Sequence, residues 1–273
     1  GLIYASKGNF KLAQKKFRDA LKKNARFSKG QQAIGIITAL GAQKLNSKTA
    51  SQLFTAILLT TKQQYDKAQL IYIEIINYHQ GNMLVANEKV KQAIIAYNKS
   101  IKRNPNVAQY YVVLAIAYFK LRQYDKVIIE ASRAIDIAPD STIAYLHRGS
   151  AYHYKGRYDK AIANYNKAIK HNPRSSIAYI GRGAAYQKNG QLDLAIFDFD
   201  KAIKLKPNDY FGYFNRAAAN FRQGSYKKSA SDYTKVIKLN PHLASSYKNR
   251  GLLYLLKLGN KKQGCADFKK ACD

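Results

Sequence analysis

Apolar and polar positions in residues 143–173 recur with the period of a helix. Tyr145, Gly149 and Tyr152 fall at i, i+4 and i+7, on one helical face. Lys155-Gly156-Arg157 interrupts the pattern. Glycine is costly inside a helix and suits its end. A second periodic segment begins near Tyr158 and puts Ala161, Tyr165, Ala168 and Ile169 on one face. Asn172-Pro173 stops it, because the residue before proline is pushed out of the helical region. The prediction is a helix–turn–helix hairpin. Its small residues let the two helices approach closely, and its aromatics fill the gaps between hairpins.

The hairpin is one unit of a repeat. Pro105, Pro139, Pro173, Pro207 and Pro241, the only prolines in the chain, follow one another at 34 residues. Tyr111, Tyr145, Tyr179, Tyr213 and Tyr247 keep the same step. Tyr118, Tyr152, Tyr186 and Tyr254 form a second column, broken by Asn220. On the second helix the aromatics are Tyr97, Tyr165, Phe199 and Tyr233, with Ala131 the exception, and Ala134, Ala168 and Ala202 recur beside them. A fixed period of this size signals a solenoid in which each unit contacts mainly its neighbours.

The column set Tyr145, Gly149, Tyr152, Ala161, Tyr165, Ala168 and Pro173 resembles the tetratricopeptide repeat. So does its successor Tyr179, Gly183, Tyr186, Ala195, Phe199, Ala202 and Pro207. Tyrosine stands where the family usually has tryptophan. A pentatricopeptide array has a nearby period but lacks these columns. The resemblance implies an all-α, right-handed superhelical solenoid of antiparallel helix hairpins, with the first helices lining a concave groove. Carried over by column, that groove holds Gln109, Val112, Phe119 and Lys120, then Leu146, His153 and Tyr154. The next units add Ile180, Gln187 and Lys188, then Phe211, Phe214, Phe221 and Arg222. The three phenylalanines are large apolar groups where core packing is not expected to need them. One subtype of the family grips a partner's C-terminal carboxylate with lysine and asparagine on these helices. The matching columns read Val112, Leu146, Ile180, Phe214 and Ile116, Ser150, Ala184, Ala218, so that mode is excluded.

The array is predicted to be regular over residues 91–273, with a one-residue insertion near Leu258-Gly259. Residues 1–27 match a repeat entered partway, through Gly1, Tyr4, Gly8, Ala13, Phe17 and Ala20, which suggests a fragment of a longer protein. Residues 28–90 read as degenerate helical repeats. Thr60-Thr61-Lys62-Gln63 resembles a capping box that opens a helix with Ala68, Ile71, Tyr72, Ile75 and Ile76 on its apolar face.

Charge changes the picture at the N-terminal end. The chain carries 47 Lys+Arg against 16 Asp+Glu, a net +31. Residues 1–60 contain nine lysines and two arginines but a single acid, Asp19. Lys11, Lys15, Arg18 and Lys22 fall on one helical stripe opposite Ala13, Phe17 and Ala20. Such a stripe is either a solvated outer face or a landing surface for nucleic acid, acidic protein or anionic lipid.

Candidate chemistry is sparse. Arg148, Arg182, Arg216 and Arg250 form a 34-residue column that could suggest phosphate binding. Each is matched on its unit's second helix by Asn164, Asp198, Asp232 or Asp267, which predicts charge-assisted hydrogen bonds across the hairpin instead. His147 and His153 are six apart and fall on different faces, unlike metal-ligand pairs. No phosphate loop, zinc-protease or nucleophile-elbow motif occurs, so no catalytic residue, cofactor or metal is expected. Cys265 and Cys272 lie two turns apart on one predicted helix, too far for a disulfide. A reduced, cytoplasmic compartment fits them, and peripheral membrane association stays open.

Three functions follow as expectations. The first is a non-enzymatic scaffold that takes a peptide or helix of an acidic partner into its groove, within a larger assembly. The second is a basic platform for nucleic acid or an anionic membrane. The third is the targeting module of a longer enzyme.

Overall fold

A computed structural model describes residues 90–272, and among them every regular element is an α-helix. The basic stripe of Lys11, Lys15, Arg18 and Lys22, the partial first repeat and the degenerate repeats to residue 89 lie outside the described residues. The chain forms two compact units, Gly1–Gln123 and Tyr124–Asp273.

In the first unit, α1 (Val90–Arg103) packs on α2 (Ala108–Lys120). Tyr97 and Ala93 of α1 meet Tyr110, Leu114 and Ala117 of α2 in one buried cluster. Tyr97 and Leu114, each 2% exposed, are among the largest fully buried side chains of this pair, and burial of such apolar area holds it together.

The second unit contains α3 (Tyr124–Ile137), α4 (Thr142–Tyr154), α5 (Tyr158–His171) and α6 (Ser176–Lys188). It continues through α7 (Leu192–Leu205), α8 (Tyr210–Arg222), α9 (Tyr226–Leu239), α10 (Ala244–Leu256) and α11 (Lys261–Cys272). Each even-numbered helix packs on the odd-numbered helix after it to make a hairpin, and on the one before it to stack the hairpins. That is an all-α repeat solenoid. Helix α4 touches α6, and α6 touches α8, whereas the odd-numbered helices approach one another less. The even helices α4, α6 and α8 therefore form the inner layer of this unit, and the odd helices form its outer layer.

Local sequence sets the helix boundaries. Ser141 and Ser175 cap α4 and α6 by accepting hydrogen bonds from the Ala144 and Ala178 amides, and Asp209 accepts from Phe211 at the start of α8. Asp125, Asp159 and Asp193 sit in the first turns of α3, α5 and α7, where the helix dipole favours an anion. The turns inside hairpins need a left-handed residue. Gly156, Gly190 and Gly224 supply it with φ of 72°, 81° and 81°. In the last hairpin Gly259 does so at φ 68°, one position late, which places the insertion where the sequence puts it. At the same register of the first unit the residue is Arg122, held at φ 57°.

The second-helix aromatics form the core. Phe199 is fully buried, and Tyr165 and Tyr233 are each 4% exposed. Gly149 and Gly183 make room for the first two. A Cβ built on Gly149 would lie 3.1 Å from the Tyr165 ring, and one on Gly183 would lie 2.7 Å from Phe199 Cε1. The first-helix tyrosines differ from expectation. Tyr145 is buried, but Tyr179, Tyr213 and Tyr247 are only half-buried, and Tyr179 and Tyr213 serve less as core than as platforms for arginine. The guanidiniums of Arg148, Arg182 and Arg216 lie 5.4, 5.6 and 5.6 Å from the ring centres of Tyr145, Tyr179 and Tyr213. Asn220, which breaks the second tyrosine column, is buried and donates from Nδ2 to Asp232 Oδ2 at 3.2 Å.

Candidate functional site

The arginine column is committed to the scaffold. Arg182 donates from Nε and Nη2 to the two oxygens of Asp198 at 2.8 and 2.7 Å. Arg216 holds Asp232 the same way at 3.0 and 2.6 Å, and Arg250 holds Asp267 at 2.8 and 2.7 Å. Arg148 makes the single bond its neutral partner permits, to Asn164 Oδ1 at 2.7 Å. Hydrogen bonding to the aspartates raises the pKa of Arg182, Arg216 and Arg250 above the usual guanidinium value, so all three stay charged. Glu130, whose sequence repeat has Leu114 in place of the arginine, is held by Arg133 one turn away at 3.0 Å.

Each arginine also reaches a third helix, which the sequence reading missed. Nη1 of Arg148, Arg182 and Arg250 donates to Ser132 Oγ, Asn166 Oδ1 and Thr234 Oγ1 at 2.9, 2.6 and 2.9 Å, and Nη1 of Arg216 pairs with Asp200. These acceptors sit on the second helix of the preceding hairpin, so one guanidinium clamps two repeats. A second ladder joins the residue that ends each first helix to a first-turn aspartate one repeat earlier. Lys155 pairs with Asp125, Asn189 donates to Asp159 at 3.1 Å, and Gln223 donates to Asp193 at 2.6 Å. The next rung is absent, because the aspartate column continues as Lys227 and its partner column as Lys257. Lys257 instead lies 5.5 Å from the centre of the Tyr226 ring. Both ladders are 34-residue columns of small acceptors and acids, so the signal was present in the sequence.

With the arginines spent on packing, several other first-helix side chains stay in water. In the first unit, Lys120 is exposed, Gln109 and Phe119 are half-buried, and Val112 is buried, away from any ligand's reach. In the second unit, Ile143, Ile177 and Phe211 occupy one column at the starts of α4, α6 and α8, exposed by 47, 61 and 50%. Tyr154, exposed by 62%, stacks on Tyr124 with ring centres 5.2 Å apart. Phe221 is exposed on the last turn of α8, beside Tyr226.

Other expected groove residues have structural work. Leu146 packs on the cluster of Ala161, Tyr165 and Ala185. Phe214 meets Tyr233 edge-on with centres 5.7 Å apart and joins the cluster of Ala217, Ala230 and Leu253, so core packing does use it. Gln187 is buried, and its backbone carbonyl accepts from Arg222 Nη1 at 2.7 Å, tying α8 to α6. Ile180 is half-buried and Lys188 is exposed. His153 presents its ring edge to Tyr154 and Tyr158. Burial first, and then Lys188, lowers its pKa and favours the neutral imidazole. Both cysteines are exposed free thiols on α11.

The arrangement can present apolar side chains beside cations. Among the described residues there is no cluster of histidine, cysteine, aspartate or glutamate suited to a metal, and no helix long and apolar enough to cross a membrane.

Comparison with known proteins places the repeat. Models of the tetratricopeptide repeat match residues 78–142, 149–190, 176–209 and 210–243, together more than half of the chain. The chain is 40% identical over 60 residues to the small glutamine-rich tetratricopeptide repeat-containing protein 2 of Saccharomyces cerevisiae, covering 22% of this chain and 17% of that protein. It is 30% identical over 63 residues to a UDP-N-acetylglucosamine–peptide N-acetylglucosaminyltransferase of Giardia intestinalis, covering 23% of this chain and 4% of that protein. It thus spans less than a fifth of the length of either curated relative. Among solved structures, the type IV pilus biogenesis factor PilW superposes with a TM-score of 0.67 at 20% identity, over 71% of this chain and 90% of that one. The similarity at that identity is one of fold. The chain belongs to the tetratricopeptide repeat family, whose arrays serve as scaffolds for protein–protein interaction.

Proposed function

We propose that the inner face of α4, α6 and α8 binds an extended peptide or a helix of an acidic partner and holds it within a larger assembly. The observation that carries this reading is the column of Ile143, Ile177 and Phe211. Three large apolar side chains remain in water at one register, where the outlay in solvation is recovered only by a ligand. Lys188 and Arg222 lie at the other end of the same helices and favour acids on that ligand. The arginine column offers a ligand little, since each guanidinium is already bidentate or clamped.

The test is recovery of partners from native cells by the full chain, compared with a Phe211→Ala, Phe221→Ala double variant. These two are preferable to Phe214, whose truncation would also loosen the core. The expected result is at least a tenfold loss of recovered partner with an unchanged melting curve. Unchanged recovery would overturn the reading.

A second reading treats the array as the targeting module of a longer enzyme. It is favoured by the similarity to the Giardia transferase, of which the matched segment is a small fraction. The full reading frame decides it. The third, a basic platform for nucleic acid or an anionic membrane built on residues 1–60, depends on residues outside those described.

A further inference from the structure

The outer layer of the second unit carries a pattern that peptide binding at the inner face leaves unexplained. On α7 the outward stripe is Leu194, Phe197, Lys201, Lys204 and Leu205, at i, i+3, i+7, i+10 and i+11, and all five are exposed. Phe197 is exposed by 54%, with Lys201 Nζ 5.2 Å from its ring centre. The position of Lys201 is filled by Arg133, Lys167 and Lys235 on α3, α5 and α9. The position of Lys204 is filled by Lys170 and Lys238 on α5 and α9. Ile129, half in water at 50% exposure, takes the place of Phe197 on α3.

On α5, α7 and α9 acids do not balance these cations, whereas on α3 Glu130 holds Arg133 and Asp136 takes the place of Lys204. Every acid on α5, α7 and α9 is engaged elsewhere. Asp198 and Asp232 are buried under arginines, and Asp200 pairs with Arg216. Asp159 and Asp193 accept from the amides of Asn189 and Gln223. Over α5, α7 and α9 the outer layer is thus a basic face that carries Leu194, Phe197 and Leu205 in water.

We propose that this face docks on an anionic lipid bilayer. The lysines would meet headgroup phosphates, while Phe197, Leu194 and Leu205 enter the boundary between headgroups and acyl chains. The apolar side chains decide between polyanions. A duplex nucleic acid offers Leu194, Leu205 and Ile129 only phosphate and sugar, whereas a bilayer offers them a region that releases water. The inference goes beyond the peptide reading, because it uses the opposite layer and leaves the inner face open.

The experiment is sedimentation of the full chain with vesicles of phosphatidylcholine alone, or with roughly 30% phosphatidylserine, in about 0.15 M salt. At least tenfold tighter binding to the anionic vesicles is expected. A Lys167→Glu, Lys201→Glu, Lys204→Glu variant should lose at least tenfold of that affinity, and Leu194→Ser with Phe197→Ser at least threefold. All of these positions are exposed, and melting curves check that the variants fold. The groove variant Phe211→Ala, Phe221→Ala should bind vesicles like the parent, so loss of one reading leaves the other standing. Full binding by the lysine variant would overturn the proposal and assign the binding to another basic region. Equal binding to neutral vesicles would overturn it too. So would an unimpaired apolar variant in a chain that prefers a duplex oligonucleotide to the vesicles.

Discussion

Arg122 is the residue whose backbone disagrees with its side chain. Its φ of 57° belongs to the left-handed region that Gly156, Gly190 and Gly224 occupy in the later turns. Arg122→Gly should therefore stabilise the first unit by about 1 kcal/mol, read as a higher urea midpoint. Tyr165 gives a pH prediction. Burial pushes its phenol up to about 12, against the hydrogen bond to Ser150 at 3.0 Å. A raised folded-state pKa means that the stabilisation is fully present below pH 10. It is lost as the unfolded chain ionises between pH 10 and 12, at a cost of roughly 2–3 kcal/mol. Tyr165→Phe should flatten that alkaline loss and cost about 1 kcal/mol at neutral pH through the missing hydrogen bond. Denaturant titrations of both proteins near pH 9.5 and 11.5 measure the difference.

At the scale of elements, close helix approach and the arginine clamps make opposite demands, and both can be measured. Gly183→Ala drives a methyl into Phe199, which has no room to retreat, and should destabilise by roughly 1–3 kcal/mol in thermal melts. The same column tolerates Ala217, which is buried on α8 without a clash, so the penalty belongs to the α6–α7 hairpin and not to the position. A double-mutant cycle on Arg182 and Asp198 should return about 2 kcal/mol of coupling, and the Arg148–Asn164 cycle about half that, because a neutral acceptor makes one bond. This level was also the most legible in the sequence. Among the described residues, prolines and glycines mark where helices end, and the arginine columns predict the bond across each hairpin from α4 to α11. The third contact of each arginine was overlooked because Ser132, Asn166, Asp200 and Thr234 share hydrogen-bonding capacity but not residue type. The burial of Val112 and Gln187 and the partial burial of Phe214 were illegible for another reason. A column assigns a residue to a helical face, but the size of its neighbours decides whether that face closes over it.

Across the whole molecule, two kinds of surface differ in their response to salt. Partner capture through Ile143, Ile177 and Phe211 should change less than threefold between roughly 50 and 200 mM salt, because apolar burial is not screened. Binding through lysines to a polyanion should weaken by orders of magnitude over that range. Titrating salt in the partner-recovery experiment therefore reports which surface holds the partner. The missing rung at Lys227 has a mechanical consequence. Every earlier junction of the second unit from α4 to α8 is held by both an arginine clamp and an aspartate rung, while the junction before α10 lacks the rung and holds through Arg250 on Thr234, Asn249 on Tyr233 and Lys257 against the Tyr226 ring. In a one-dimensional array the junction that lacks a charged rung opens ahead of the others. The pair α10–α11 should behave as a tear-off tab, its amides exchanging with heavy water ahead of those in α6 and α7 while the rest of the stack stays shut.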